Sequence, residues 1–288
     1  MRNHYQFAGV ELTLEIPDDQ DYRDRETLAV FRTEQVSHPH VFRIEVAEQL
    51  PEPVGECVFN HPKMLVFEKD GRQLRYIGDV ESGWQRAYVQ VENCGRQHVV
   101  TMAKERSSCG IKSKSILNAL GSEHLVLEAG GCILHASYIE WMGKAILFTA
   151  PSGTGKSTQA NLWQQLRDAT IINGDRAVIR MEDGVPVACG LPYAGSSGIC
   201  KNQTLPLAAI VYLRQAPETT IGRLKGVRAF QRVWEGCSVN TWDRRDMSAA
   251  SKLVSEIIKR VPVFMLACTP DESAVNALEK ELRKQEGI

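Results

Sequence analysis

The sequence predicts an α/β domain over its second half, preceded by a β-rich domain that reads as an antiparallel sheet. Three observations carry this. From residue 132 onward, apolar runs of strand length alternate with stretches of helical periodicity. A glycine-rich run, Ala150-Pro151-Ser152-Gly153-Thr154-Gly155-Lys156-Ser157-Thr158, separates one such strand-like run from a helix-like stretch. Before residue 105, short runs alternate apolar and polar residues and are divided by turn residues. The expected division is a β-rich domain at 1–108 and an α/β domain at 109–288.

The first strand is expected at 9–16, where Val10, Leu12, Leu14 and Ile16 alternate with their neighbours. Similar short runs occupy 41–46, 63–68, 72–77, 87–91 and 98–102. Turns fall at Lys69-Asp70-Gly71, Glu81-Ser82-Gly83 and Asn93-Cys94-Gly95. Asp70-Gly71 is a hairpin signal, because a tight two-residue turn needs positive φ at both positions. Around Cys109-Gly110 the pattern changes. Residues 112–129 carry Ile116, Leu117, Leu120, Leu125 and Val126 at helical spacing, interrupted at Gly121 and ended by Gly130-Gly131. Paired strands follow at 132–139 and 144–149 about a turn at Met142-Gly143. A helix is expected at 159–167, then strands at 170–172 and 176–181. Asp183-Gly184 turns the chain into 186–189, and 207–213 is a further strand. Helices at 225–235 and 247–260, a strand at 261–268, and a helix at 270–284 started by Thr269 complete the chain.

Composition narrows the function. The 288 residues are 43% apolar and 24% charged, with a net charge of −1, which is ordinary for a globular protein. This balance gives no electrostatic case for nucleic acid or an anionic membrane as partner. No apolar run approaches the ~18 residues of a membrane span. The opening Met-Arg-Asn-His-Tyr-Gln lacks the apolar core of a signal peptide, so a cytoplasmic protein is expected. The eight cysteines are scattered without a C-x-x-C pair, which reads as free thiols in a reducing compartment rather than a zinc site. His38 and His40 flank Pro39 and read as a loop.

The glycine-rich run has the composition and context of a phosphate-binding loop. Such a turn points successive backbone N–H groups at an anion, and the following helix adds the positive end of its dipole. Ser152, Gly153, Thr154, Gly155, Lys156, Ser157 and Thr158 would hold the phosphates. Lys156 would reach the β- and γ-phosphates, and Ser157 would offer its hydroxyl to Mg²⁺. The strict pattern has Gly where Ala150 stands. Asp175 follows the run Ile171-Ile172 within Asn173-Gly174-Asp175, 19 residues beyond Lys156. A carboxylate there suits the cation that bridges the β- and γ-phosphates; an Asn-Gly-Asp turn without chemical role is the plain alternative. His135 lies 21 residues before Lys156 on the strand expected to pair with the one feeding the loop.

These residues resemble the HPr kinase/phosphorylase superfamily, which includes the ATP-dependent phosphoenolpyruvate carboxykinases and assorted HPr-kinase-like proteins. The resemblance covers residues 120–215: the histidine-to-lysine spacing of His135 and Lys156, the loop form 152–158, and the acidic stretch Gly174-Asp175-Arg176. It implies an α/β P-loop domain of the HPr kinase/PEP carboxykinase type, with ATP and Mg²⁺ as cofactors. Asp175 carries over as the metal-binding aspartate, whereas the first aspartate of the family's pair is replaced by Gly174. The general base is then His135 or Asp175; the reference pKa of imidazole, about 6.5, suits proton transfer near neutrality. The family's second signature, tied to the HPr partner, is missing. The chain therefore resembles an HPr-kinase-like protein with a different phosphoacceptor. The family's oligomers make a homo-oligomer an expectation that rests on the resemblance alone.

The polar stretch 190–202 is the next candidate. Arg176, Ser196, Ser197, Lys201 and Asn202 could meet the transferred phosphoryl group or its acceptor, and an ordinary surface loop is the alternative. Trp234 and Trp242 read as core or interface aromatics. The reading is an ATP/Mg²⁺-dependent kinase acting on a hydroxyl of a small molecule, peptide or protein. The alternatives are a non-catalytic or regulatory ATP-binding protein and a shikimate-kinase-like metabolite kinase.

Overall fold

A computed structural model describes residues 1–20, 22, 27–107 and 113–286. Cys109, Gly110, Lys112 and the expected 108/109 boundary lie outside the described residues. The chain forms two compact units. One comprises Met1–Gln6 with Val10–Ser122, the other Phe7–Gly9 with Glu123–Ile288.

The first unit is built on a nine-stranded sheet. Its strands are β1 (Arg2–Phe7), β2 (Val10–Glu15), β3 (Arg32–Thr33), β4 (His40–Ala47), β5 (Glu56–His61), β6 (Met64–Lys69), β7 (Arg72–Gly78), β8 (Ala87–Cys94) and β9 (Gln97–Ala103). The helices α1 (Lys104–Ser107) and α2 (Ser113–Leu120) follow. The spatial order is β3-β1-β2-β4-β9-β8-β7-β6-β5. From β5 to β9 it is a meander of antiparallel pairs. Asp70 and Gly71, with φ of 50° and 75°, make the tight turn between β6 and β7 that the sequence signals.

The expectation of a purely antiparallel sheet is corrected: β4 runs parallel to both β2 and β9. Tight turns force antiparallel neighbours, but long connections separate these pairs, and a long connection can return a strand in the same direction. His40 is also not a loop residue. It opens β4, is buried, and places Nδ1 3.1 Å from Nε2 of His98, on whose ring Phe42 stacks at 4.1 Å. The strands β1, β3 and β5 carry no clear alternation in the sequence; β1 buries Asn3 beside Tyr5.

The second unit contains α3 (Ser122–Glu128), β10 (Gly131–Trp141), β11 (Lys144–Thr149), α4 (Lys156–Arg167), β12 (Thr170–Asn173), β13 (Arg176–Glu182) and β14 (Val185–Cys189). It continues with β15 (Thr204–Gln215), β16 (Thr220–Leu224), α5 (Gly226–Trp234), β17 (Cys237–Ser238), α6 (Arg244–Arg260), β18 (Val263–Cys268) and α7 (Glu272–Glu286). Gly121 divides the helical stretch before β10 into α2 and α3, as its spacing predicts. Helix α6 begins earlier than its apolar periodicity suggests, because Asp243 caps it by accepting from the backbone N–H groups of Arg245 and Asp246.

Two long strands organise this unit. In β10, Gly131 to His135 pair with β13, while Ala136 to Trp141 pair with β11. In β15, Thr204 to Pro206 pair with β14, and the remainder runs parallel to β11 and β18. Strands β11, β15 and β18 therefore point the same way and end at a common edge. Side chains alternate across this sheet. Leu147 and Ile210 face a core with Ala229 and Val233 of α5 and Ala250, Val254 and Ile257 of α6. Ile146, Phe148 and Val211 face the other core, with Ala160 and Trp163 of α4 and Val275 and Leu278 of α7. The fold is thus a β-rich N-terminal region with a mixed sheet and an α/β C-terminal region. Among the described residues no helix is long and apolar enough to cross a membrane.

Candidate functional site

The glycine-rich run leaves the C-terminal end of β11 and enters α4. Gly153 and Gly155 take φ of 77° and 115°, which an L side chain resists, and this permits the tight turn. Gly155 is the N-cap of α4 and no side chain caps this end. The first-turn N–H groups of a helix have no intrahelical acceptor, so here they converge on the loop with the positive end of the dipole. Ser152, Gly153, Ser157 and Thr158 are exposed, and Thr154 and Gly155 half-buried.

Lys156 is buried, and its Nζ donates to the carbonyl oxygens of Ala150 at 3.0 Å and Pro151 at 3.4 Å. Burial pulls its pKa below the usual value, and the charge of Asp175 works against that shift. The ammonium is thus parked on the loop's own carbonyls, within the field of Asp175.

Asp175 occupies the break between β12 and β13. Both strands are antiparallel to β10, with Asn173 opposite Tyr138 and Arg176 opposite His135. The break falls where β10 passes from one set of partners to the other, and the backbone N–H of Ala136 donates to Asp175 O at 3.0 Å. His135 Nδ1 and Asp175 Oδ1 are 3.6 Å apart. The imidazole is held below its usual pKa, first by burial and then by the charge of Lys156, with Asp175 opposing. Its backbone is fixed from both sides: the N–H donates to Gly236 O at 2.7 Å, and the carbonyl accepts from Thr149 Oγ1 at 3.0 Å.

Arg176 is engaged within the protein. Its Nε lies 3.1 Å from Asp175 Oδ2, a terminal nitrogen lies 3.9 Å from Glu123 Oε1, and its guanidinium sits 5.1 Å over the ring of Tyr193. The loop between β14 and β15 lies directly on Asp175. A β-carbon added at Gly195 would stand 2.8 Å from Asp175 Cβ, and one at Gly174 would stand 2.2 Å from Ser197 Oγ. Ser197 Oγ donates to Ala194 O at 2.8 Å and accepts from Ile199 N at 3.2 Å. Ser196, Lys201 and Asn202 are exposed on the same loop, and the backbone N–H of Lys201 donates to Ile172 O at 2.9 Å.

Asn173 is the residue that the sequence did not single out. It is fully buried; Nδ2 donates to Leu191 O at 3.0 Å and Tyr193 O at 2.8 Å. Its Oδ1 accepts from the backbone N–H groups of Asp175 and Arg176 at 2.9 and 3.0 Å. One amide thus ties the 190–202 loop to the Asp175 turn. The signal available in the sequence was an Asn two residues before an Asp after a strand, which also fits an ordinary turn. Trp234 stacks on Phe230 at 5.5 Å and packs against the α5/α6 core, as read from the sequence.

Among the described residues no group of three or more His, Cys, Asp or Glu could hold a metal ion. The hydroxyl of Ser157 and the carboxylate of Asp175 are donor types that hold Mg²⁺ in nucleotide sites, where phosphate oxygens and water supply the remaining ligands.

Fold and site together define an α/β domain with a glycine-rich loop, a buried lysine and an Asp–His pair at the edge where its parallel strands end. The family described as SynChlorMet cassette protein ScmC matches residues 123–282, and the chain belongs to that family. None of the curated proteins matches. Among solved structures, the Hpr(Ser) kinase/phosphatase from Coxiella burnetii overlaps 54% of this chain and 93% of its own, at 11% identity and a TM-score of 0.33.

Proposed function

We propose that the second unit is an ATP- and Mg²⁺-dependent kinase that transfers the γ-phosphoryl group to a hydroxyl of a small molecule, peptide or protein. The observation that supports it most is the meeting of Lys156, His135 and Asp175 in one electrostatic cluster beside the uncapped N-terminus of α4. In this reading the N–H groups at 153–158 bind the phosphates. Lys156 exchanges its two loop carbonyls for phosphate oxygens. Ser157 and Asp175 are the protein's ligands to Mg²⁺, which when bound neutralises charge on the phosphates. His135, neutral at pH 7, accepts the acceptor's hydroxyl proton, and Asp175 steadies the imidazolium that results. The exposed loop with Ser196, Lys201 and Asn202 faces the acceptor.

The single carboxylate favours a second reading, a regulatory ATP-binding protein. Gly174 has no side chain, and Ser197 fills the space that one would need. Incubation with Mg²⁺ and γ-labelled ATP, with and without cell extract, separates the two. Label on a protein or metabolite that is lost in Lys156→Ala supports the kinase. Tight ATP binding with no transfer supports the regulatory reading, and absence of ATP binding overturns both.

A further inference from the structure

A cleft of about 570 Å³ opens beside the glycine-rich loop, at the C-terminal ends of β15 and β18. Ligands of open α/β sheets bind at this edge of the strands, and the volume is that of a small-molecule site. Leu213, Pro217, Cys268 and Pro270 give it apolar walls, which suit a flat heteroaromatic ring, and Thr158 joins it to the loop. Gln159 also lines the cleft, one residue further along α4.

Gln159 is 3% exposed, and its Oε1 has no hydrogen-bond partner among the described residues. Among the described residues its Nε2 donates only to Cys268 Sγ, at 3.5 Å. A buried amide oxygen left unpaired is unfavourable, and a thiol is a weak partner that an amide readily leaves. The same amide lines the cleft, where a bound molecule can supply the missing donor. The group that would satisfy it is an N–H donor on the edge of a ring.

We propose that this cleft is the nucleoside pocket and that Gln159 reads the base, accepting from the exocyclic amine of a 6-aminopurine and so selecting it over a 6-oxopurine. The inference rests on the phosphate-binding reading given above. It adds a specificity residue immediately after the 152–158 segment, itself concerned only with phosphate and its cation.

Calorimetric titration of the full chain with the Mg²⁺ complexes of ATP, ITP and inorganic tripolyphosphate tests it without turnover. ATP is expected to bind about tenfold more tightly than ITP, the effect of one hydrogen bond made against one acceptor left unpaired. In Gln159→Leu the ATP/ITP ratio is expected to fall to about one, with tripolyphosphate affinity unchanged. Equal affinities for ATP and ITP in the native chain, with tripolyphosphate still bound, overturn the base-reading role and leave the phosphate site standing. Tighter binding of ITP overturns it as well, because the amide would then present its N–H₂. Failure to bind tripolyphosphate or either nucleotide overturns the phosphate-binding reading and this inference with it. The ratio in the native chain decides the matter even where the leucine variant does not fold.

Discussion

His135 Nδ1 stands 3.6 Å from Asp175 Oδ1, across the point where β10 changes partners. A carboxylate at that distance ordinarily raises an imidazole's pKa, yet burial and Lys156 outweigh it and the net shift is downward. The imidazole is therefore neutral at pH 7 and able to accept a proton, with the carboxylate ready to stabilise the cation that forms.

A histidine titration by NMR is expected to place His135 below 6.5, the ordinary imidazole value. Lys156→Ala removes the second-largest depressing influence and should raise it; Asp175→Asn removes the opposing one and should lower it further. The same shift has a stability consequence. The folded chain binds this proton less readily than the unfolded chain, so the contribution is fully present above about 6.5 and is lost as pH falls through the folded value. A His135 pKa above 6.5 would mean that Asp175 dominates, and would overturn the proposal that His135 is the base.

Asp175→Asn separates metal binding from phosphate binding. If Asp175 is the protein's carboxylate ligand, the affinity for ATP with Mg²⁺ should fall about tenfold or more, as expected for losing a contact between charged groups. The affinity for ATP in EDTA should stay the same or improve, since a negative charge near the phosphates has gone. Equal losses with and without the cation would show that Asp175 is structural.

The motif was legible in the sequence because its geometry is local. A glycine-rich turn between a strand and a helix is specified by neighbours in the chain, which is why the passage from β11 into α4 could be placed. The Asp175 turn was legible for the same reason. What the sequence could not show depends on strands meeting at long range. The parallel pairing of β4 with β2 and β9 is fixed by which edges come together, and alternation within a strand is silent on that. The double role of Asn173 depends on a loop 18 to 20 residues downstream folding back on it. Likewise, nothing in the sequence reveals that Gln159 Oε1 lacks a partner among the described residues, or that β18 places Cys268 beside its Nε2.

Gly174 and Ser197 are expected to behave as a matched pair. A methyl group at 174 would meet Ser197 Oγ at 2.2 Å and Cβ at 2.8 Å. Gly174→Ala should destabilise the chain by about 1–3 kcal/mol, the usual range for inserting a methyl group where there is no room. Combined with Ser197→Gly, the loss should be smaller than the two single losses added together, by about 1 kcal/mol. Urea unfolding of the four proteins gives this coupling directly. Additive effects would place the two residues apart.

Asn173 supports two different things with its two amide atoms, and two substitutions pull them apart. Asn173→Ala removes all four hydrogen bonds from a fully buried position and should cost about 2–4 kcal/mol, since it orphans several backbone groups at once. In Asn173→Asp the oxygen that accepts from Asp175 N and Arg176 N is kept, but Leu191 O and Tyr193 O lose their donor. Hydrogen exchange should therefore quicken across 190–202 in the aspartate variant while the Asp175 turn stays protected. The added negative charge beside Asp175 should raise the His135 pKa, since a nearby anion favours imidazolium. Faster exchange confined to the Asp175 turn, with the loop unchanged, would show that the loop is held by its own contacts and not by Asn173.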